Sequence, residues 1–264
     1  VEEAKPHIVS MENVPELVNE KVFCDFVDTL KRLKYNVTYN IVNAADYGVP
    51  QKRERRERMI KNIVFDMGHV LMYFSPKVYI SRLGYTGEDA ELLEREVYRS
   101  ADWVATDHGT MLPEEGAAAM CRRLPERLHA AAEELTCRWW QGEFMPVPGM
   151  AELVHELRAL GYGIYLLSNA SSALNLYFER IPGSECFDGK LVSADVKLMK
   201  PFPEIYELLY SRFGLNPEEC WFVDDNAANI ESARMTGMNG SVFYDDVARL
   251  RRELRAQGIP VKEV

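Results

Sequence analysis

Four short polar signals along the chain each follow an apolar run. The first is Asp66, which comes directly after the residues Asn-Ile-Val-Phe at positions 62–65 and is followed by Met67 and Gly68. The later three are Ser168-Asn169, Lys200-Pro201 and Asp224-Asp225-Asn226. Short apolar runs bounded by polar residues are typical of buried strands. The pattern therefore predicts polar side chains at the carboxyl ends of strands.

Segments with helical spacing lie between these runs. The predicted elements are, in chain order, a strand to Phe65, a helical region over 76–141, a helix over 150–160 that stops before Gly161, a strand over 163–167, a weaker segment ending near Val192, a helix over 203–213 and a strand over 220–223. Strands that alternate with helices predict an α/β fold with a doubly wound, Rossmann-like parallel sheet. Ligands bind beyond the carboxyl ends of the strands in such sheets, where all four polar signals lie.

The first 57 residues carry a separate strand, helix and strand pattern. Residues 7–10 and 37–42 are predicted to be extended, and residues 22–33 have apolar positions at helical spacing. This partial βαβ unit is followed by a charged run at 51–58. Two or three strands alone expose unpaired edges and bury little apolar surface, so we do not expect the unit to be an independent domain. We place its boundary near residues 57–61.

Composition and charge exclude several classes of protein. With 264 residues and 47% hydrophobic content, the chain has enough apolar surface for a packed core. Residues 63–264 hold 20 Lys and Arg against 31 Asp and Glu, which argues against broad nucleic-acid binding. The five cysteines form no Cys-x-x-Cys pair, so a reducing cytoplasm is the expected compartment. No run approaches the roughly eighteen apolar residues of a membrane span, and no membrane partner is expected.

The residue types at the strand ends indicate phosphate chemistry. A carboxylate such as Asp66 attacks phosphorus only where the negative charge of the phosphoryl oxygens is neutralised. Lys200 can supply a fixed positive charge and Ser168 a hydroxyl. Asp225, with Asp224 beside it, can hold a hard cation jointly with Asp66, and Mg²⁺ is the cation expected for oxygen ligands.

The segment Asp66-Met67-Gly68-His69-Val70 and the three later signals resemble the haloacid dehalogenase-like (HAD) hydrolases, in the branch whose first motif is D-x-G-x-V. The resemblance extends over about residues 59–261. It implies that Asp66 is the nucleophile that becomes an aspartyl-phosphate. It also implies that Ser168 and Asn169 bind the phosphate and that Lys200 neutralises its charge.

The same resemblance implies a magnesium site. Asp225 is its main carboxylate ligand, and Asp66, the Gly68 carbonyl and Asp224 complete or support it. The activity implied is that of a Mg²⁺-dependent phosphatase, and the expected partner is a small phosphorylated metabolite such as a sugar phosphate.

A domain plan also follows from the resemblance. Residues 58–73 and 146–264 form the hydrolase core, and residues 74–145 form a small helical cap. Caps of this kind select substrates and exclude water. Residues 1–57 remain outside this plan.

Gly68 leaves the proton donor of the reaction open. Most phosphatases of the superfamily have a second aspartate there, which protonates the leaving group and then activates water. His69 is a candidate for this role because imidazole titrates near neutrality, but packing under the cap explains it equally well. His108 in the helical region is a second candidate. Two alternatives are a domain that binds phosphate without turning it over and a dehalogenase, which the absence of a D-x-Y motif disfavours.

Two motifs near the N-terminus, Met11 to Pro15 and Gly48 to Arg55, resemble motifs of DNA cytosine-5 methyltransferases. The residues that match are Glu12, Asn13, Gln51, Arg53 and Arg55. A Gly-rich cofactor loop and a Pro-Cys nucleophile motif are both missing, so no methyltransferase activity is expected of this chain alone. The segment is then the product of a truncated gene fused in frame to that of a neighbouring hydrolase, or the result of an assembly artefact. Alternatively, it is part of a split enzyme that acts as a DNA- or partner-binding module. Nucleic acid is an expected partner only if another chain completes the fragment.

Overall fold

The structure is a computed structural model that describes residues 21–32 and 59–263. The chain separates into two compact units, residues 1–56 and residues 57–264. Within the described part of the chain, none of the helices has the length and apolar character required to cross a membrane.

The first unit is described by one helix, α1 (Lys21–Arg32), which corresponds to the helix predicted at 22–33. Its residues Val27 and Leu30 are buried. The strands predicted at 7–10 and 37–42 lie outside the described residues. So do the residues that match the methyltransferase motifs, which are Glu12, Asn13, Gln51, Arg53 and Arg55.

A parallel sheet forms the centre of the second unit. Over the described residues its five strands are β1 (Asn62–Phe65), β2 (Gly163–Ser168), β3 (Gly189–Val192), β4 (Cys220–Asp224) and β5 (Asn239–Val242). Their order is β3-β2-β1-β4-β5, and each neighbouring pair is parallel. The chain therefore builds the sheet outward from β1 on one side and then on the other, and the predicted α/β fold class is confirmed.

The central strand β1 has no exposed face. Ile63, Val64 and Phe65 are all 0% exposed. Because side chains alternate along a strand, Ile63 and Phe65 pack into the core on one face of the sheet and Val64 packs into the core on the other. Burial of both faces explains why the sequence of this strand is a continuous apolar run.

A helical insert lies between β1 and β2. Its elements are α2 (Pro76–Arg82), α3 (Gly87–Leu93), a π-helical turn (Glu94–Tyr98), α4 (Ala101–His108), α5 (Pro113–Cys121) and α6 (His129–Cys137). The insert has a hydrophobic core of its own, in which Leu93, Met120 and Leu128 are 0% exposed. All of these elements fall within the segment predicted to be the cap.

The remaining helices cover the sheet. They are α7 (Met150–Ala159), α8 (Leu174–Tyr177), α9 (Ser193–Val196), α10 (Pro203–Phe213), α11 (Ala227–Met235) and α12 (Val247–Ala256). In α7, Met150, Leu153 and Leu157 are 0% exposed and form the stripe that faces the core. The helices predicted at 150–160 and 203–213 are thus present.

One end of the insert is held against the sheet domain. Helix α4 ends at Gly109, which has the left-handed φ of +78°. A Cβ at this position would overlap the backbone carbonyl of Ala194 in α9. The buried hydroxyl of Ser193 also donates a hydrogen bond to the carbonyl of Asp107. This close contact requires a glycine at the end of α4.

We expect Gly109→Ala to destabilise the protein more than Gly84→Ala. Both glycines have similar φ values, +78° and +82°, but a Cβ at Gly84 meets no atom within 4 Å. The left-handed conformation alone costs an alanine about 1–2 kcal/mol, and overlap with backbone atoms adds a further cost of about 1–3 kcal/mol at Gly109. Urea unfolding of the two variants measures the difference. Equal losses of stability would show that the insert does not depend on this contact.

Candidate active site

The side chain of Lys200 lies between two carboxylates at the carboxyl end of the sheet. Its Nζ atom is 2.9 Å from Asp66 Oδ1 and 2.7 Å from Asp224 Oδ2. It also donates a hydrogen bond of 2.9 Å to the carbonyl oxygen of Leu167. An ammonium group has three N–H bonds, so these three acceptors fix the position of the charge.

Burial makes this cluster electrostatically strong. The Lys200 side chain is 1% exposed, the Asp224 side chain 0% and the Asp66 side chain 13%. Burial lowers the pKa of Lys200, but the charges of Asp66 and Asp224 outweigh it and the pKa is raised. Burial raises the pKa of Asp66, and Lys200 opposes this change. Lys200 is therefore a fixed cation that pairs with the carboxylates of Asp66 and Asp224 and holds them in position at the strand ends.

Asp224 is occupied by hydrogen bonds within the protein. Its Oδ1 accepts from the backbone N–H of Asn226 at 2.8 Å and from Asn229 Nδ2 at 2.9 Å, and its Oδ2 accepts from Lys200. The adjacent Asp225, in contrast, is exposed on the side of the site that opens to solvent. Asp224 thus orients its neighbours, and Asp225 offers its carboxylate to a ligand.

Three carboxylates in this cluster form a set that suits a hard cation. Oxygen atoms of Asp66, Asp224 and Asp225 all lie within 4.8 Å of one another. Although the residue is exposed, partial desolvation of its carboxyl raises the pKa of Asp225, and the charge of Asp224 raises it further. The positive charge of one lysine does not balance the negative charge of three carboxylates, so the cluster attracts a cation. Carboxylate oxygen atoms are the ligands that Mg²⁺ prefers.

The side chain of Asn169 holds the backbone of Lys200. Asn169 Nδ2 donates to the Lys200 carbonyl at 2.9 Å, and the Lys200 N–H donates to Asn169 Oδ1 at 2.9 Å. The family resemblance implies that Asn169 binds phosphate, and in the structure its side chain makes these two contacts with the Lys200 backbone. Ser168, at the end of β2, is buried and borders the adjacent cavity.

A cavity of about 170 Å³ joins this cluster to the helical insert. Its polar wall contains Asp66, Ser168, Asn169 and Asp225, and its aromatic wall contains Phe74, Trp103, Trp139 and Tyr177. The aromatic rings contact one another, with 5.0 Å between the ring centroids of Phe74 and Trp139. The cavity therefore has one end suited to an anionic group near a cation and another suited to a carbon skeleton.

Gly68 and His69 border the same cavity. A Cβ at Gly68 would meet no atom within 4 Å, so the start of a side chain there has open space. His69 is exposed, has a φ of +55°, and donates its backbone N–H to the Met72 carbonyl at 2.7 Å. It also borders the neighbouring open groove with Asp225. The structure thus places His69 at the rim of the site.

The insert contributes Asp107, and not His108, to the lining of the cavity. Burial raises the pKa of Asp107 to about 7, although hydrogen bonds from the Ser171 backbone and the Trp103 side chain lower it. The sequence alone indicates His108 in this segment, because imidazole can act as an acid or a base. Asp107, one residue earlier on α4, lines the cavity instead. This position follows from how α4 packs against the helices and strands of the sheet, which the sequence pattern does not show.

Two family models match separate parts of the chain. Residues 60–237 match the haloacid dehalogenase-like hydrolase model, and residues 1–57 match the C-5 cytosine-specific DNA methylase model.

Individual relatives of the larger part include proteins with different activities. The chain is 32% identical over 117 residues to (S)-2-haloacid dehalogenase 4A of Burkholderia cepacia, a match that covers 44% of this chain and 47% of that protein. It is 26% identical over 199 residues to a sesquiterpene phosphatase of Aspergillus oryzae, covering 71% of this chain and 92% of that protein. The chain thus spans about half of the first relative and most of the second.

A solved structure shares the fold. It is a HAD family enzyme from Bacteroides thetaiotaomicron in complex with magnesium and inorganic phosphate, with a TM-score of 0.55 and 20% sequence identity. The match covers 72% of this chain and 98% of that chain.

Proposed function

Because the chain belongs to the haloacid dehalogenase-like hydrolase family, we propose that it is a Mg²⁺-dependent phosphatase of small phosphorylated metabolites. The observation that carries this proposal is Lys200, buried between Asp66 and Asp224 beside a cavity that Asp225 also borders. This arrangement combines a strand-end nucleophile, a fixed cation and a set of carboxylates for a second cation.

The residues of the site divide the work of phosphoryl transfer. The Asp66 carboxylate attacks phosphorus, and the Lys200 ammonium and the Met67 N–H, 2.7 Å from Asp66 Oδ1, hold it in place. Ser168, at the end of β2, offers its hydroxyl to a phosphoryl oxygen. Positioning and charge neutralisation of this kind are the main requirements of phosphoryl transfer.

Asp66, Asp225 and the Gly68 carbonyl would hold the magnesium ion, with Asp224 in support. Their oxygen atoms fit a hard cation, as the three clustered carboxylates indicate. When bound, Mg²⁺ supplies charge that reduces the repulsion between the phosphate and the Asp66 carboxylate.

The aromatic wall of the cavity supports a carbon-rich leaving group. Phe74, Trp103 and Trp139 can contact the C–H surface of a sugar or of an isoprenoid alcohol, the latter being the class named for the Aspergillus relative. A phosphate monoester whose alcohol contacts these rings fits both ends of the cavity.

Phosphate release is expected to require Mg²⁺ and to depend on Asp225. In Asp225→Asn the Mg²⁺ concentration for half-maximal activity is expected to rise by at least about 10–100-fold, because loss of a direct carboxylate ligand costs no less than loss of a group that only supports one. The measurement is phosphate release from a panel of phosphorylated metabolites, with Mg²⁺ and with chelator. Glu231→Gln is the matched control, since Glu231 is exposed on α11 and pairs with Arg234.

Two results of this assay would contradict the proposal. Full activity in chelator would exclude the metal requirement. Halide release from 2-haloacids, with no phosphate released from any ester, would instead favour the activity named for the Burkholderia relative.

The methylase match covers residues 1–57 only, and we propose no methyltransferase activity for it. The match confirms the resemblance of this segment, which lacks both the cofactor loop and the nucleophile motif. The phosphatase proposal rests on the second unit alone.

A further inference from the structure

The proposed phosphatase site needs a group that protonates the leaving alcohol. Gly68, two positions after Asp66, has no side chain to do so. We propose that Asp107, supplied by the helical insert, is the general acid and base of the reaction, an inference that rests on the phosphatase function proposed above.

Asp107 borders the same cavity as the nucleophile. It lies in the last turn of α4, and the cavity of about 170 Å³ that it lines also contacts Asp66 and Ser168. It therefore faces the site from the insert, where the alcohol part of a substrate would lie, while Asp66 faces it from the sheet.

The backbone of Asp107 is fixed to the phosphate-binding loop. The Ser193 hydroxyl donates to the Asp107 carbonyl and accepts a hydrogen bond of 2.9 Å from the N–H of Ala170. Ala170 directly follows Asn169. A single buried hydroxyl thus sets the position of Asp107 relative to the loop that would hold the phosphoryl group.

The surroundings of the carboxyl favour proton transfer near neutral pH. Burial raises the pKa of Asp107 to about 7, and hydrogen bonds from the Ser171 backbone and the Trp103 side chain lower it only in part. A general acid works best when its pKa is close to the operating pH. His69, in comparison, is exposed at the rim, and His108 is not among the residues that line the cavity.

The two steps balance with Asp107 in this role. In the first, an Asp66 oxygen bonds to phosphorus, the bond between phosphorus and the ester oxygen breaks, and that oxygen takes the proton of the Asp107 carboxyl. In the second, the Asp107 carboxylate removes a proton from water as the water oxygen bonds to phosphorus. The bond between Asp66 and phosphorus then breaks, so that inorganic phosphate leaves and Asp107 is again protonated.

The test compares Asp107→Asn with the wild-type protein on phenyl phosphates of graded leaving-group acidity, from p-nitrophenyl to p-methoxyphenyl phosphate, and on an alkyl phosphate that the wild type hydrolyses. Loss of the acid is expected to lower kcat/KM for the alkyl ester by about 10²–10⁴-fold and to affect the p-nitrophenyl ester far less. The dependence of rate on leaving-group acidity therefore becomes steeper. Asp102→Asn, on the same helix and paired with Arg123 at 2.7 Å, is the matched control and should keep the wild-type slope.

A second variant distinguishes loss of the proton donor from structural damage to the site. A Cβ at residue 68 meets no atom within 4 Å, and Gly68→Asp in the Asp107→Asn background is expected to restore part of the alkyl phosphate activity. Two results would overturn the role of Asp107. One is a dependence of rate on leaving-group acidity in Asp107→Asn that equals that of the wild type. The other is an equal loss of activity on every ester that Gly68→Asp does not reverse. These results leave the phosphatase proposal standing as long as Asp66→Asn is inactive, whereas full activity of Asp66→Asn would remove both.

Discussion

Asp66→Asn is expected to lower phosphate release by on the order of 10⁴-fold or more, because the variant has no carboxylate to form the covalent intermediate. The amide oxygen of asparagine can still accept the hydrogen bonds that Oδ1 receives from Met67 and Lys200. The fold of the variant is therefore expected to persist, and the loss reports on chemistry.

Two measurements check this result. Steady-state phosphate release gives the loss of rate, and the mass of protein quenched in acid during turnover shows whether phosphate is attached to the chain. We expect a phosphorylated species in the wild type and none in Asp66→Asn, with similar thermal stability for both proteins. Turnover by the variant at the wild-type rate would exclude Asp66 as the nucleophile.

Lys200→Met is expected to lower both stability and activity. The substitution leaves Asp66 and Asp224 buried without their cation, which typically costs about 3–5 kcal/mol of unfolding free energy. Loss of a fixed charge at the phosphoryl group is expected to lower kcat by about 10²–10³-fold as well. Urea unfolding and phosphate release by the folded variant measure the two effects separately.

Lys61→Met provides a matched comparison. Lys61 pairs with Glu219 at 2.9 Å, the same distance that separates Lys200 from Asp66, but the Lys61 side chain is 59% exposed. Exposed pairs of this kind contribute about 0–1 kcal/mol, so this variant should be nearly as stable as the wild type and fully active. If both lysine variants lost the same stability, burial would not be the source of the effect at Lys200.

The sheet and the position of the site follow from local sequence patterns. The run that ends at Phe65 is apolar throughout because both faces of β1 are covered. The carboxyl ends of parallel strands meet at one edge, which explains why Asp66, Ser168 and Asp224 were predicted to share a site although they are far apart in the sequence.

Contacts between the insert and the sheet domain could not be predicted in this way. Asp107 and Ser193 are 86 positions apart, and neither lies in a motif with a recognisable spacing. The pairing of Asn169 with the Lys200 backbone is similar, because an asparagine after a strand is equally suited to bind a ligand or another loop. The contact partners of such residues depend on tertiary packing, which produces no periodic pattern in the sequence.

The contact of Gly109 and Asp107 with α9 also limits how this protein can be recombined with its relatives. A chimera that received a foreign insert in place of residues 74–145 would place a new helix end against Ser193 and Ala194. Without a glycine at the end of that helix, a Cβ atom there would overlap the backbone carbonyl of Ala194. A grafted insert therefore has to keep a glycine at the position of Gly109, because the overlapping atoms of Ala194 belong to the backbone and no substitution at residue 194 removes them.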